Sequence, residues 1–130
     1  MTKIAKTAHE TSFVVMPKHL NYMGIIFGGD FMSELDLAAA VVVNRAVRKS
    51  ETADKAVTYK FDVTFLGPSF EGDIIHIKSE IVEVRKKAIK VKLQAWRETR
   101  EDGSRYKVAT AETVFIAMHE KHYVNHQLEL

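Results

Sequence analysis

The 130-residue chain has no cysteine, only two prolines and one tryptophan, and its 19 Lys and Arg nearly cancel its 17 Asp and Glu. Without cysteine there is neither a disulfide framework nor a thiolate metal site, and nothing argues for an oxidising compartment. A formal net charge of +2 is too mild to point to nucleic acid as a partner. No apolar run is long enough to span a membrane, and residues 1–10 (MTKIAKTAHE) lack the apolar core of a signal peptide. A cytoplasmic protein, bound neither to membrane nor to nucleic acid, is the expectation.

What is present is apolar content, 46% of the residues, enough for one domain around one core. Residues 1–10 are polar and without period, and read as a loose segment. Residues 11–118 carry the regular patterns. Residues 119–130, which include His119, His122 and His126, read as a polar tail.

The organising stretch begins at about Gly28 and is rich in Ala, Leu, Met and Val with no proline, which predicts a helix of roughly 20 residues and ~30 Å. At 100° per residue, Phe31, Leu35, Val42 and Ala46 take one side and Leu37 and Val41 help cover the other. Asp30, Glu34, Arg45 and Arg48 leave a narrow polar edge, so the helix is expected to be buried on most sides. Asp36 falls within a stripe of Gly29, Met32, Ser33, Ala39, Ala40, Val43 and Val47. An ionised carboxylate in such surroundings costs several kcal/mol unless it is paired or reaches solvent. Two readings stay open: a structural acid with a buried partner, or a catalytic one.

Thr11 to Met16 is β-branched and short, a first strand closed by Pro17, and Lys18 to Phe27 is a loop leading into the helix. From Ala56 the period becomes two: Val57, Tyr59, Phe61, Val63 and Phe65 alternate with Thr58, Lys60, Asp62 and Thr64 up to Gly67-Pro68. Further strands are predicted over Ile74 to Val84, Ile89 to Trp96 and Tyr106 to Met118, with turns at Arg85-Lys86-Lys87 and Glu101 to Ser104. One short strand, one long helix and four consecutive antiparallel strands imply an α+β fold, a curved antiparallel sheet wrapped around the helix. One sheet cannot seal such a helix, so pairing with a second copy is expected.

Gly28-Gly29 opens the helix, where first-turn amides have no intrahelical partner and can donate to an oxyanion or carbonyl. Neither phosphate-cradling glycine signature is present. The three C-terminal histidines approach ligand spacing without an accompanying acid pattern, so no metal is expected. His19 and His76 read as surface residues.

Asn21-x-x-Gly24-x-x-Phe27-Gly28-Gly29, followed by Met32, Asp36 and Ala38-Ala39, is similar to the motif of hotdog-fold acyl-CoA thioesterases, the bacterial short acyl-CoA hydrolase and cytosolic brain-type group. Phe65 with Pro68, then Gly72-Asp73, resembles the strand end and turn that follow in that family, and Ile89 to Trp96 resembles its next strand. The resemblance covers about residues 11–118. It implies a hotdog dimer, usually built into a hexamer as a trimer of dimers, with two active sites at the subunit interface. It also implies an acid from one chain, here Asp36, and an asparagine from the other, here Asn21. The substrate would be an acyl-CoA, hydrolysed to CoA and a free carboxylic acid without a cofactor. Phosphates of CoA would meet the basic turn Arg85, Lys86 and Lys87 with Lys90.

The chemistry of the residues points the same way. Thioester cleavage needs an activated water or a carboxylate nucleophile, with donors for the charge that grows on the carbonyl oxygen. Asp36 can serve as base or nucleophile, the Gly28 or Gly29 amide can hold the oxygen, and Asn21 can orient water or thioester. Phe27 and Met32, with Tyr22, Met23 and Phe31, are candidates to meet the acyl chain. The alternatives are a non-catalytic acyl-CoA sensor using the same pocket and a thioesterase for another acyl carrier. A hotdog dehydratase is disfavoured, because the helix carries no histidine.

Overall fold

A computed structural model of the protein describes residues 1–5 and 8–130. Its long elements are β2 (Ala8–Val14), α1 (Gly28–Val47), β3 (Lys55–Phe65), β4 (Ile74–Arg85), β5 (Ala88–Glu98) and β6 (Arg105–His119). Three two-residue strands accompany them: β1 (Thr2–Lys3), β7 (His122–Tyr123) and β8 (Leu128–Glu129). The main sheet is antiparallel, in the order β2-β4-β5-β6-β3, with β7 paired to the end of β6.

Strict alternation builds the concave face. Ile75, Ile77 and Ile81 on β4, Ile89, Val91, Leu93 and Ala95 on β5, and Ala109, Ala111, Phe115 and Ala117 on β6 are all buried against α1. The helix answers with Phe31, Leu35, Ala38, Ala39, Val42, Val43, Ala46 and Val47. Each large side chain so buried contributes on the order of 2 kcal/mol. The polar residues in this layer are satisfied locally: Ser79 Oγ donates to Ala38 O at 3.0 Å, and Thr113 Oγ1 to Lys60 O at 3.0 Å.

Three expectations need correction. First, α1 is not enclosed on most sides within one chain. Gly29, Ser33, Leu37 and Asn44, one or two helical turns apart, form an open face, and Leu37 is 60% exposed. The sheet has one concave side and wraps only that half of the cylinder.

Second, β3 does not keep one phase. Its register against β6 shifts between Thr58 and Lys60, a bulge that inserts Tyr59 and flips the faces on either side. Phe61 and Val63 pack on the core, whereas Val57 and Tyr59 are exposed and Thr58 faces the helix.

Third, the termini are built into the fold. β1 pairs in parallel with β8, the first long strand already begins at Ala8, and Ile4, His126 and Leu128 are buried. Apolar residues spaced too far apart to show a period still close the helix's C-terminal end.

Candidate functional site

The loop before α1 is stapled from within. His19, read from the sequence as a surface residue, is buried; its Nδ1 accepts Met16 N–H at 2.9 Å, and its ring meets Phe13 edge-on at 5.4 Å. Phe27 N–H donates to His19 O at 2.7 Å, and Ile26 N–H to Ser69 O at 2.9 Å. Asn21 Oδ1 accepts two backbone amides, Met23 N–H at 2.9 Å and Ile25 N–H at 3.3 Å, around Gly24 at φ 79°. Because that oxygen is spent on the loop, the Asn21 carboxamide has only its Nδ2 hydrogens left to offer. Asn21 is therefore a donor toward anything beside it.

The helix then opens on Phe27 with no side-chain cap, and the first helical bond runs from Phe31 N–H to Phe27 O at 3.0 Å. The amides of Gly28, Gly29 and Asp30 are left without an intrahelical acceptor. Beside them lies a cavity of about 570 Å³, lined by Asn21, Ile25, Gly28, Phe31, Phe65 and the Leu66–Pro68 loop. A methyl group at Gly28 would stand 3.5 Å from the Phe65 ring, and one at Gly29 would stand 2.6 Å from the Phe27 ring. Glycine keeps the amide edge reachable where aromatic rings crowd it.

Asp36 sits two turns further along, about 12 Å from Gly28 at 1.5 Å per residue. It is half-buried, at the border between the packed and the open face of α1, so it is neither sealed in an apolar stripe nor held in a closed ion pair. Its Oδ1 accepts Thr58 Oγ1–H at 2.9 Å. The bulge at Tyr59 is what turns the Thr58 hydroxyl inward. Asp36 does not line the 570 Å³ cavity of its own chain. One protomer thus brings Asn21 and Gly28 together and leaves the carboxylate apart.

The basic turn lies at the other end of the molecule. Helix N-terminus, β3 end and β4 start share one end, while Arg85, Lys86 and Lys87 join β4 to β5 at the other, where α1 finishes. They line an open cavity of about 570 Å³ with Ala88. Arg85 pairs with Glu83, and Lys90 lies 3.6 Å from Glu112, so among the described residues the cations of the set without an ion pair are Lys86 and Lys87. Phe27 is 54% exposed and neither it nor Met32 lines the Asn21 cavity. Tyr22 and Met23 are exposed, and of the proposed acyl contacts only Phe31 reaches that wall.

Sequence reasoning passed over three features. Thr58 looked like one polar position in an alternating strand; only the bulge reveals it. The Leu66–Pro68 loop was read as a strand terminator, yet it forms a cavity wall. A Ser12–His76–Glu98 chain crosses the outer face, with Ser12 Oγ 2.7 Å from His76 Nδ1 and His76 Nε2 3.0 Å from Glu98 Oε1. It has relay spacing, and the neighbouring amides on β4 and β5 are used by the sheet. Among the described residues no group of three His, Asp or Glu is arranged to hold a metal ion. Nor is any helix long and apolar enough to cross a membrane.

Residues 23–104 match the family model of the thioesterase superfamily. The chain is 30% identical over 108 residues to an uncharacterized acyl-CoA thioester hydrolase of Zymomonas mobilis, covering 82% of this chain and 69% of that protein. It is 32% identical over 82 residues to an uncharacterized acyl-CoA thioester hydrolase of Buchnera aphidicola, covering 62% of this chain and 57% of the relative's length. Among solved structures it is similar to a hexameric hotdog-fold thioesterase of Campylobacter jejuni. That likeness has a TM-score of 0.75 and 28% identity, and covers 88% of this chain and 86% of that one. The helix wrapped by an antiparallel sheet is a hotdog fold.

Proposed function

The chain belongs to the thioesterase superfamily, and from that premise we propose that it hydrolyses acyl-CoA thioesters to CoA and a free carboxylic acid. The observation that carries the proposal is an oriented carboxylate and a row of unpartnered amide donors on one helix, the two halves of a hydrolytic site with 12 Å between them. Two halves that far apart in one chain meet when a second chain is laid against the open helix face.

The surface supports such a pairing. β3 is an edge strand, α1 shows the Gly29, Ser33 and Leu37 face beside it, and Val57 and Tyr59 are exposed on the same edge. A two-fold axis at the β3 edge runs the two helices antiparallel, so that Asn21 and Gly28 of one chain approach Asp36 of its partner. The same operation carries the basic turn of each chain toward the other's cavity end. Lys86 and Lys87 there would meet the phosphates of CoA, and the pairs could assemble further into a hexamer.

In the reaction, Asp36 takes a proton from water, with Thr58 holding the carboxylate in orientation. The hydroxide oxygen bonds to the thioester carbonyl carbon, and the carbonyl oxygen becomes an alkoxide held by the Gly28 and Gly29 amides. Asn21 Nδ2–H donates to that oxygen or to the water. The tetrahedral centre then expels the CoA sulfur, which takes up the proton, and the acid is released.

The test is turnover of an acyl-CoA panel followed with a thiol-reactive dye. Asp36→Asn keeps the shape and the Thr58 contact and should lower kcat by at least about 10²-fold, the scale of a general base. Unchanged turnover would remove Asp36 from the mechanism. Mixing Asp36→Asn with Asn21→Ala chains should restore activity that neither has alone; failure to do so would refute the shared site. CoA binding without turnover by the native chain would make it a sensor instead.

A further inference from the structure

The turn that carries Lys86 and Lys87 is shaped by the far C-terminus of the chain. Arg85 pairs with Ala88, leaving Lys86-Lys87 as a two-residue hairpin loop in which Lys86 has φ 45°, a conformation a side chain resists unless the surroundings impose it. The two-residue hairpin itself demands a positive φ there, and hydrogen bonds hold the carbonyls that follow. Three successive carbonyls of the turn are each taken: Lys86 O by His126 N–H at 2.9 Å, Lys87 O by Ala117 N–H at 2.8 Å, and Ala88 O by His126 Nε2–H at 3.0 Å.

His126 supplies two of the three. Its ring is 1% exposed, and its Nδ1 accepts Leu128 N–H at 2.9 Å, which fixes Nε2 as the protonated nitrogen. Ser50 Oγ, just past the helix, donates to His126 O at 2.8 Å, and Thr52 Oγ1 donates to Asn125 O at 2.6 Å. Leu128 and Ile4 plug the segment into the core, and β1 closes over it. Such a scaffold is far more than a polar tail needs.

We propose that His126 is a positioning residue for the carrier-binding turn, holding Lys86 and Lys87 in the geometry that engages the phosphates of the CoA moiety. This rests on the reading that those lysines meet CoA. The neutral ring is the competent form. A proton on Nδ1 would turn an acceptor into a donor facing Leu128 N–H and would leave a charge in a buried site. Burial does lower its pKa from the usual 6.5, opposed by the bond to Ala88 O. The charged and titratable groups on the elements around it include Lys3 on β1, Arg48, Lys49, Glu51 and Asp54 at the helix exit, Glu83 and Arg85 on β4, Lys86 and Lys87 in the turn, Lys90 on β5, His119 to Tyr123 around β7 and Glu129 on β8, and among the described residues none makes an ion pair with it. Because burial depresses the folded-state pKa, the ring is still neutral in the native protein at pH 6.5, and its contribution is lost only as pH falls further, through the lowered folded-state pKa.

The experiment compares two substrates with the same acyl group, an acyl-CoA and the acyl-N-acetylcysteamine thioester, which has no nucleotide. His126→Asn keeps an acceptor for Leu128 N–H but cannot reach Ala88 O, and should raise KM for acyl-CoA about three- to tenfold, the weight of one hydrogen bond, with kcat unchanged. KM for the small thioester should not move. His126→Gln, which reaches Ala88 O, should stay within twofold of the native KM. Native KM for acyl-CoA should hold as pH falls to 6.5 and rise only below it, more steeply than in His126→Gln, which is the control for titration of the CoA phosphates themselves. A KM change shared by both thioesters, or none with His126→Asn, overturns the proposal. Lys86→Glu separates the two layers. If it leaves KM for acyl-CoA unchanged, the phosphate-contact reading falls and takes the proposal with it; if it raises KM while His126→Asn does not, only the role of His126 falls.

Discussion

The two ends of α1 treat their hydrogen bonds in opposite ways. At the Gly28 end there is no side-chain cap, and three amides lack intrahelical acceptors, with Gly28 itself at the wall of a cavity. At the Val47 end, Ser50 Oγ accepts Thr52 N–H and Ala53 N–H and donates to His126 O, while Arg48, Lys49 and Ser50 amides all find carbonyls within the last turn. One end stays open where a reacting oxygen would complete it; the other is knotted shut by the two chain termini. Open polar groups cost stability, so the closed end has to offset the open one.

The hardest blow to that contrast would fall on the closed end. Leu128 is 1% exposed although it is the third residue from the end of the sequence. Leu128→Ala should lose about 3 kcal/mol of unfolding free energy by chemical denaturation, within the range of buried leucine truncations, and leave kcat of the folded enzyme intact. A loss of only a few tenths would mean that the terminal clasp is decoration, and the division of labour would fail.

At the open end the contrast is sharpened by a residue that should matter to rate and hardly to stability. Thr58→Val keeps the branched shape and removes the hydroxyl that Asp36 accepts at 2.9 Å. Turnover should fall about tenfold, ~1.4 kcal/mol of barrier, with the melting temperature held within about 2 °C. If rate and stability fell together, Thr58 would be a strand residue and not an orienting one.

These residues also mark where the sequence was legible. Long-range order was: periodicity located the helix and the four later strands within a few residues, because burial on one face leaves a repeat that composition cannot hide. Gly28, Gly29 and Asp36 are singled out by their place on the helix and Asn21 by the family resemblance, and their roles are proposals. What stayed unreadable depended on contacts between distant residues. A one-residue bulge changed which side of β3 faces Asp36, and a histidine 38 positions away from Ala88 shaped the basic turn. Neither leaves a local pattern. The closed termini were misread for the same reason: Ile4 and Leu128 are isolated apolar residues until they meet the helix exit.

The smallest effect lies in the loop that walls the cavity. Ser69 is fully buried, its carbonyl accepts Ile26 N–H, and among the described residues its hydroxyl has no hydrogen-bond partner. A buried hydroxyl left unmade costs folding free energy that a methyl group in the same place would not. Ser69→Ala should therefore raise stability by about 1 kcal/mol, read as a shift in the denaturant midpoint at constant slope. Destabilisation would mean that the hydroxyl is bridged by an ordered water, and the loop would then belong with the knotted end. Stabilisation would place a second uncompensated polar group beside the unpartnered amides, and the strain of the open end would extend from the helix start into the wall that faces it.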